Sequence, residues 1–333
     1  MNSNLISHLT IIKSKAIRDY RISFCDITLL RRSENTTFQL TDLNGKKYIL
    51  RINRPDYHTF CELNGELCWM KMLEAETELI LPHVYLNIHG SAISACPDGC
   101  DYGQFYSVFS YIDGTSTDVH TLSEQADLLY EIGKTAAIMH SQVIHSPEAG
   151  QLCRFHWDIP DLIGPQSRWG NWEIHPLLTE NQKHTFHACL SKIIPMIESY
   201  GKTNTHFGII HGDLHPGNFI KTKNGLAIID FDDCGYGYFL YEIGCSLMQY
   251  NDNLKVLANA WISGYETIRT LSPDDKKMLI PFILFRRIIR IAWMASHADS
   301  DTAKASASME TYISITDKLC TDFLNHSNSS IFI

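Results

Sequence analysis

The chain has 333 residues, of which 44% are hydrophobic and 20% are charged. This is the composition of an ordinary globular protein, and it excludes a disordered, low-complexity or collagen-like chain. The 28 Lys and Arg residues against 37 Asp and Glu residues give a formal charge of −9. Such a charge argues against a nucleic-acid or anionic-membrane partner, because both require a basic face.

The first residues and the cysteines indicate the compartment. Residues 1–15 lack the apolar core and the cleavage site of a secretory signal. The ten cysteines contain no CxxC pair, which is typical of reduced thiols. The longest apolar stretch, Met278–Ala295, contains three arginines and predicts a buried helix rather than a membrane span. We therefore expect a cytoplasmic protein with free thiols and no membrane partner.

The first third of the chain predicts a small sheet crossed by one helix. After an N-terminal helix, Ile27–Arg54 alternates like strands around an Asn44-Gly45 hairpin turn. Apolar residues three and four apart predict a helix over Tyr57–Glu76. Two further strands are expected over Val84–Ser94 and Gln104–Tyr111.

The remainder of the chain is mostly helical in its pattern. Apolar residues recur at helical spacing over Leu122–His140, Asn181–Tyr200 and Asp252–Thr270. One island, His206–Tyr238, holds two short apolar runs that are each followed by polar residues including Asp. Because no Ser/Gly-rich linker separates the halves, the sequence predicts two lobes, 1–112 and 113–333, packed across a cleft.

The island contains residues that suit phosphoryl transfer. His211–Asn218 has the sequence HGDLHPGN, and Asp230 closes the second apolar run. Transfer from ATP requires an acceptor hydroxyl aimed in line with the γ-phosphate while a divalent metal neutralises charge on the phosphate oxygens. Asp213 is the predicted catalytic acceptor of the hydroxyl proton. Asn218 and Asp230 are the predicted Mg²⁺ ligands, because Mg²⁺ prefers hard oxygen donors.

These residues resemble a known family. His211–Asn218 with Ile229-Asp230-Phe231-Asp232-Asp233 resembles the aminoglycoside phosphotransferase/choline kinase-like family, and more narrowly its bacterial branch that includes the stress response kinase. Further segments that resemble this branch are Arg51–His58, Trp157-Asp158 with Gly164-Pro165, and Gly235–Tyr241. The resemblance implies an α+β, protein-kinase-like fold with a small antiparallel-sheet N-lobe and a mostly helical C-lobe. It also implies ATP and Mg²⁺ as cofactors.

The resemblance implies roles for residues of the first lobe as well. Arg51 matches the phosphate-binding lysine of the third strand, and Glu66 matches its ion-pair partner in the following helix. Ser110 and Ile112 fall where the hinge of the family meets adenine. Glu242 matches a carboxylate that accepts backbone N–H bonds from the catalytic loop.

The glycine-rich loop of kinases is absent from this sequence. Ser33 and Asn35 instead lie at the turn between the first two strands, where backbone N–H groups and small polar side chains can cap phosphates. An ordinary hairpin turn is the alternative for this segment.

The acceptor pocket of such folds is built from insertions in the helical lobe. Here these are Arg154–Trp172 and the helix around Phe285–Trp293, which mix aromatic residues with charges of both signs. This mixture suits a zwitterionic or polyhydroxy small molecule, and core tryptophans with surface arginines are the alternative. The predicted substrate residues are Trp157, Asp158, Trp169 and Arg287.

The sequence therefore predicts a phosphotransferase that moves the γ-phosphate of ATP to a hydroxyl of a small cytosolic metabolite or antibiotic-like molecule. A Ser/Thr protein kinase of the stress response kinase type is the first alternative, although no Ala-Pro-Glu segment follows Asp230. A nucleotide-binding, pseudokinase-like regulator is the second, because Arg51 stands in place of lysine and the glycine-rich loop is missing.

Overall fold

The computed structural model describes residues 3–32, 35–97, 103–164, 167–296 and 309–325. The described residues fall into two compact units. The first lies within Met1–Thr115, Leu152–Arg154 and Ile220–Asp232, and the second within Ser116–Gln151, Phe155–Phe219 and Asp233–Ile333. The division into lobes 1–112 and 113–333 stays a prediction.

The helices and strands are numbered in chain order. The strands are β1 (Phe24–Arg32), β2 (Thr36–Asp42), β3 (Lys47–Ile52), β4 (Ser94–Ala95), β5 (Phe105–Ser110), β6 (Thr115–Ser116), β7 (Phe207–Ile210), β8 (Phe219–Thr222), β9 (Gly225–Ile228) and β10 (Gly235–Tyr238). The helices are α1 (Ser3–Tyr20), α2 (Phe60–Glu76), α3 (Leu122–His145), α4 (Ile159–Ile163), α5 (Glu180–Tyr200), α6 (Tyr241–Leu247), α7 (Leu254–Glu266), α8 (Pro273–Ser296) and α9 (Met309–Asn325). Among the described helices, none is long and apolar enough to cross a membrane.

The first unit is built on a five-stranded sheet in the order β1-β2-β3-β5-β4, and all of its pairings are antiparallel. The predicted hairpin at Asn44-Gly45 is confirmed, with Gly45 at φ 79° and the Asp42 carboxylate accepting the backbone N–H of Asn44. A core of buried residues lies between α1 and the sheet. It contains Ile12, Ala16, Phe38, Leu40, Leu50 and Val108.

The predicted helix over Tyr57–Glu76 is confirmed, and it begins at Phe60 because of a capping box. The Thr59 hydroxyl accepts the backbone N–H of Glu62, and the Glu62 carboxylate accepts the backbone N–H of Thr59. These two bonds satisfy donors that the first turn of a helix leaves unpaired. Glu66 lies one turn further along, on the buried side of α2.

The predicted strand over Val84–Ser94 is wrong for most of its length. Val84 makes only an isolated bridge to Phe109, and the strand here is Ser94–Ala95. The Oδ1 of Asn87 accepts the backbone N–H groups of His89 and Ser91 at 2.9 and 3.1 Å. An asparagine that closes its own turn in this way competes with strand pairing.

Asp230 follows strand β9 and belongs to the first unit. Strands β6, β8 and β9 form a three-stranded sheet, and Ala227 of β9 makes a parallel bridge to Ile80. The backbone N–H of Ile228 donates to the Ile80 carbonyl at 2.9 Å. The end of β9 is thereby fixed to the segment that follows α2.

The second unit is mostly helical, as predicted. Helix α3 packs against α7, and α6 packs against α8. Gly244 allows the second of these contacts, since a Cβ there would lie 2.6 Å from the Phe282 carbonyl oxygen of α8. The antiparallel pair of β7 and β10 supports the loop that begins at His211.

The expectation of free thiols is wrong for one pair of cysteines. Cys61 of α2 and Cys153 form a disulfide with a Cα–Cα distance of 5.7 Å, and 92 residues separate them in the chain. No local spacing signals such a pair. Cys25, Cys68, Cys189, Cys245 and Cys320 carry free thiols.

Candidate active site

The loop His211–Asn218 holds the side chain of Asp213 in one orientation. Asp213 is 26% exposed, and its Oδ1 accepts a hydrogen bond from Arg286 Nη2 at 3.1 Å. Its Oδ2 accepts a bond from Asn218 Nδ2 at 3.2 Å and lies 3.2 Å from His215 Nε2. The Nδ1 of His215 accepts the Gly217 backbone N–H at 3.0 Å, so the proton of a neutral ring lies on Nε2, facing Asp213.

The surroundings of Asp213 keep its carboxyl group ionised. Burial alone would raise the pKa of Asp213, but the His215 ring, and after it the Arg286 guanidinium, outweigh burial. The pKa therefore lies below its usual value. An ionised carboxylate at neutral pH is a hydrogen-bond acceptor for an alcohol.

Asn218 is brought into contact with Asp213 by the short turn Pro216–Asn218. Its Nδ2 donates both to the Asp213 carbonyl oxygen at 2.9 Å and to the Asp213 carboxylate. Because the amide nitrogen is used in these bonds, the amide oxygen is the atom that Asn218 offers to a cation.

Helix α6 binds the backbone of the same loop. The Oε1 of Glu242 accepts the Gly212 N–H at 3.1 Å, which confirms the prediction for this residue, and Gly212 has φ 80°. The Ser246 hydroxyl donates to the Leu214 carbonyl at 2.8 Å, and the Cys245 thiol donates to the Gly212 carbonyl. Three side chains of one short helix thus fix the loop that carries Asp213.

Glu242 is unusual because its carboxyl group is fully buried. Its exposed fraction is 0%, and its Oε2 has no hydrogen-bond partner among the described residues. Burial raises the pKa of Glu242 to about 7, although the backbone N–H groups of Gly212 and His211 act in the opposite direction. The charged form of Glu242 is therefore costly in the folded protein.

In the first unit, Arg51 of β3 and Glu66 of α2 form a buried ion pair. Two parallel bonds of 2.7 Å join the guanidinium to the carboxylate. Burial would lower the pKa of Arg51, but Glu66, followed by Asp232 and Asp230, raises it above its usual value. The ion pair therefore lies within the electrostatic reach of the residues that follow β9.

The segment Asp230–Asp232 is anchored to α2. Asp230 has φ 65°, a left-handed conformation that costs a residue other than glycine about 1 kcal/mol. The Phe231 ring lies edge-on to Trp69, with centroids 5.6 Å apart. Arg154 donates to the Asp232 carbonyl at 2.5 Å and to the Glu62 carbonyl at 2.7 Å.

The other residues predicted for nucleotide binding differ in what they contact. Asn35 is buried, and its Oδ1 accepts the Arg54 backbone N–H at 3.0 Å. The backbone N–H of Ser110, a residue predicted to lie at the adenine edge, donates to the His83 carbonyl at 2.9 Å. Ile112 lies two residues beyond β5 and is half-buried. Ser33 lies outside the described residues.

Three of the predicted acceptor residues belong to packed or ion-paired surroundings. Trp157 and Trp169 are buried and stacked on each other, with ring centroids 5.5 Å apart. Trp157 also stacks on Tyr241, at 5.8 Å. The Asp158 carboxylate bonds to Lys202 at 2.5 Å.

Arg287, the fourth predicted acceptor residue, has 0% exposure and a structural position. Its guanidinium donates to the Thr316 hydroxyl, the Tyr250 carbonyl and the Asn251 side chain. The preceding residue on α8, Arg286, is the one that reaches Asp213. Sequence reasoning missed this contact because only the rotation of the buried helix distinguishes the two neighbouring arginines.

A cavity of about 490 Å³ adjoins the loop in the second unit. Most of its lining is uncharged and polar, and Pro216 and Gly217 form one wall. The Thr117 hydroxyl donates to the Pro216 carbonyl at 2.6 Å, which joins two sides of the cavity. The lining residues are Ser116, Thr117, Asp118, Val119, His120, Gln125, Pro216, Gly217, Phe219, Gln249 and Tyr250.

Comparison with known proteins decides the family. The model of the phosphotransferase enzyme family, APH, matches residues 26–275. The chain belongs to this family. It is a kinase that uses an alcohol group as acceptor, which confirms the predicted family, enzyme class and protein-kinase-like fold.

Several known kinases are similar to most of this chain. Amicoumacin kinase of Bacillus subtilis (strain 168) is 25% identical over 247 residues, which cover 74% of this chain and 69% of the relative. A microcompartment-associated aminopropanol kinase superposes with a TM-score of 0.82 and 26% identity, covering 95% of this chain and 98% of the other. An amicoumacin kinase solved with AMP-PNP and Ca²⁺ superposes with a TM-score of 0.73 and 20% identity, covering 96% of both chains.

Proposed function

We propose that this phosphotransferase moves the γ-phosphate of ATP, as its Mg²⁺ complex, to a hydroxyl of a small molecule. The proposal rests on the Asp213 carboxylate, which Arg286, His215 and Asn218 hold in one orientation. A fixed, ionised carboxylate accepts a hydrogen bond from the acceptor hydroxyl and aims its oxygen. As the hydroxyl oxygen bonds to the γ-phosphorus, its proton passes to Asp213. The bond between that phosphorus and the β,γ-bridging oxygen breaks, and ADP leaves.

The donor atoms of the chain fit a hard divalent cation. In the second unit, Asn218 offers its amide oxygen, because its Nδ2 is used by Asp213. In the first unit, Asp230 offers an exposed carboxylate. Mg²⁺ prefers such oxygens and supplies charge neutralisation at the phosphate oxygens when bound. The Ca²⁺ solved with AMP-PNP in an amicoumacin kinase is also a hard divalent cation.

Arg51 takes the phosphate-binding role in the first unit. Each terminal nitrogen of a guanidinium carries two N–H groups, and the bidentate pair with Glu66 needs only one from each. The second N–H of each nitrogen remains for phosphate oxygens, which arginine binds in a two-point manner. Replacement of the usual lysine is therefore compatible with activity.

A small alcohol is the proposed acceptor, in the cytosol as the sequence predicts. Two similar kinases are named for the small molecules aminopropanol and amicoumacin. The cavity of about 490 Å³ beside Pro216 and Gly217 has a volume that suits a ligand of this size.

Acceptor-stimulated release of ADP tests the proposal. The purified protein is incubated with ATP and Mg²⁺, and amino alcohols, polyols, hydroxy acids and a protein extract are added separately, with EDTA in a parallel series. We expect at least one small alcohol to stimulate ADP release, and EDTA to abolish it. Labelling of proteins alone would favour the protein kinase, and nucleotide binding without any stimulated release would favour the regulator.

A further inference from the structure

The segment Leu152–Arg154 belongs to the first unit, although the residues on either side of it belong to the second. We call this segment the strap. The backbone of the strap packs so closely against α2 that a side chain at Gly65 would collide with the Cys153 carbonyl. The disulfide between Cys61 and Cys153 joins the strap to the first turn of α2.

The strap carries the arginine that anchors the residues after Asp230. Arg154 is buried, and its two terminal nitrogens donate to the carbonyls of Glu62 on α2 and of Asp232. Cys153 immediately precedes this arginine. A covalent bond at Cys153 therefore limits the movement of the group that ties the Asp232 backbone to α2.

The two cysteines of the disulfide are accessible to small thiols in solution. Cys61 and Cys153 are exposed, whereas Cys189, Cys234 and Cys245 are buried. Cys61 is the second residue of α2, and its sulfur is bonded to that of Cys153. An exposed thiolate with a partner cysteine beside it is the arrangement that forms and breaks a disulfide reversibly.

We propose that Cys61 and Cys153 are a reversible exchange site for low-molecular-weight thiols and disulfides of the glutathione type, and that oxidation tightens the binding of metal and nucleotide. The second half of this statement rests on the proposed function. Closing the disulfide restricts the strap, and the restricted strap keeps Arg154 on the Asp232 carbonyl.

The exchange balances with one molecule of an external disulfide, RSSR. The Cys61 thiolate attacks one sulfur of RSSR, which forms a mixed disulfide and releases RS⁻. The Cys153 thiolate then attacks the Cys61 sulfur and releases the second RS⁻. The two cysteine protons pass to the released thiolates, so two protein thiols are oxidised and one RSSR is reduced to two RSH.

Redox titration of the whole protein tests the exchange site. The protein is equilibrated with reduced and oxidised glutathione at several ratios, alkylated, and mapped by mass spectrometry. We expect Cys61 and Cys153 to become protected together and reversibly. Cys68→Ser, on the same helix but outside the pair, should leave this behaviour unchanged, whereas Cys61→Ser should abolish it.

Calorimetric titration of the oxidised and the reduced protein with Mg²⁺ and AMP-PNP tests whether the disulfide affects nucleotide binding. We expect the reduced protein to bind about five-fold more weakly, the effect of losing one hydrogen bond. Arg154→Met should keep the disulfide but remove the difference between the two redox states. Both states of the unmodified chain are compared, so the test does not depend on the folding of a variant.

Two results would overturn the proposal. One is the absence of a Cys61–Cys153 bond at every glutathione ratio, and the other is equal AMP-PNP affinity in the oxidised and reduced protein. If AMP-PNP fails to bind in either state, the proposed function and the coupling both fall, while the alkylation map still decides whether the exchange site exists.

Discussion

Replacing Glu242 with glutamine tests how α6 holds the catalytic loop. In the folded chain, burial raises the pKa of Glu242 from 4.5 to about 7. Between these pH values the folded protein binds a proton that the unfolded chain releases. The contribution of Glu242 to stability is therefore fully present below pH 4.5 and is lost as the pH rises through about 7.

The size of this effect follows from the two pKa values. At roughly 1.4 kcal/mol for each pH unit, the interval from 4.5 to about 7 corresponds to about 3 kcal/mol. Glutamine has no charge at any pH and retains an oxygen for the Gly212 N–H. Its amide nitrogen takes the place of the unpartnered Oε2, which costs about 1 kcal/mol at all pH values.

Urea unfolding of both proteins at pH 5 and pH 8 measures the effect. We expect the free energy of unfolding of Glu242→Gln, relative to the unmodified chain, to increase by about 2 to 3 kcal/mol between the two pH values. Glu131→Gln, an exposed position on α3, is the control and should show no such increase. A difference between Glu242→Gln and the unmodified chain that does not change with pH would show that the pKa of Glu242 is not raised in the folded protein.

Two further substitutions test the side chains around each site. Arg51→Met leaves the buried Glu66 carboxylate without its partner and should lower the free energy of unfolding by about 3 to 5 kcal/mol. A double variant that also carries Glu66→Leu should regain this stability. A loss below about 1 kcal/mol in urea unfolding would contradict this role of the ion pair. Arg286→Met frees one oxygen of Asp213 and should reduce kcat about 10-fold to 100-fold in a transfer assay, while Arg286→Lys retains part of the rate. Unchanged kcat in Arg286→Met would show that this arginine does not position Asp213.

Local patterns predicted the elements whose cause is local. The Asn44-Gly45 hairpin and the helix at Phe60–Glu76 depend on a turn conformation and a capping box that neighbouring residues supply. The prediction of a strand over Val84–Ser94 was wrong for a related reason. The Asn87 side chain bonds its own turn there, and its apolar neighbours gave no sign of that competition.

Contacts across long separations could not be predicted from the sequence. Arg286 reaches Asp213 from a distant helix, and only the packing of α8 selects it over the adjacent Arg287. Cys61 and Cys153 meet because the strap returns to α2, which no spacing rule encodes. The roles of Asp213 and Asn218, by contrast, follow from residue chemistry and short spacing on one loop, and they stay predictions.

The rate of transfer by Asp213→Asn shows directly whether Asp213 accepts the proton of the acceptor hydroxyl. Asparagine is nearly the same size as aspartate but cannot take the proton of the acceptor hydroxyl. With an alcohol identified by stimulated ADP release, we expect kcat to fall by about 100-fold to 10,000-fold. The affinity for AMP-PNP with Mg²⁺ should stay within about two-fold of the unmodified chain, because Asp213 handles the acceptor. Transfer at the unmodified rate by Asp213→Asn would exclude Asp213 as the proton acceptor.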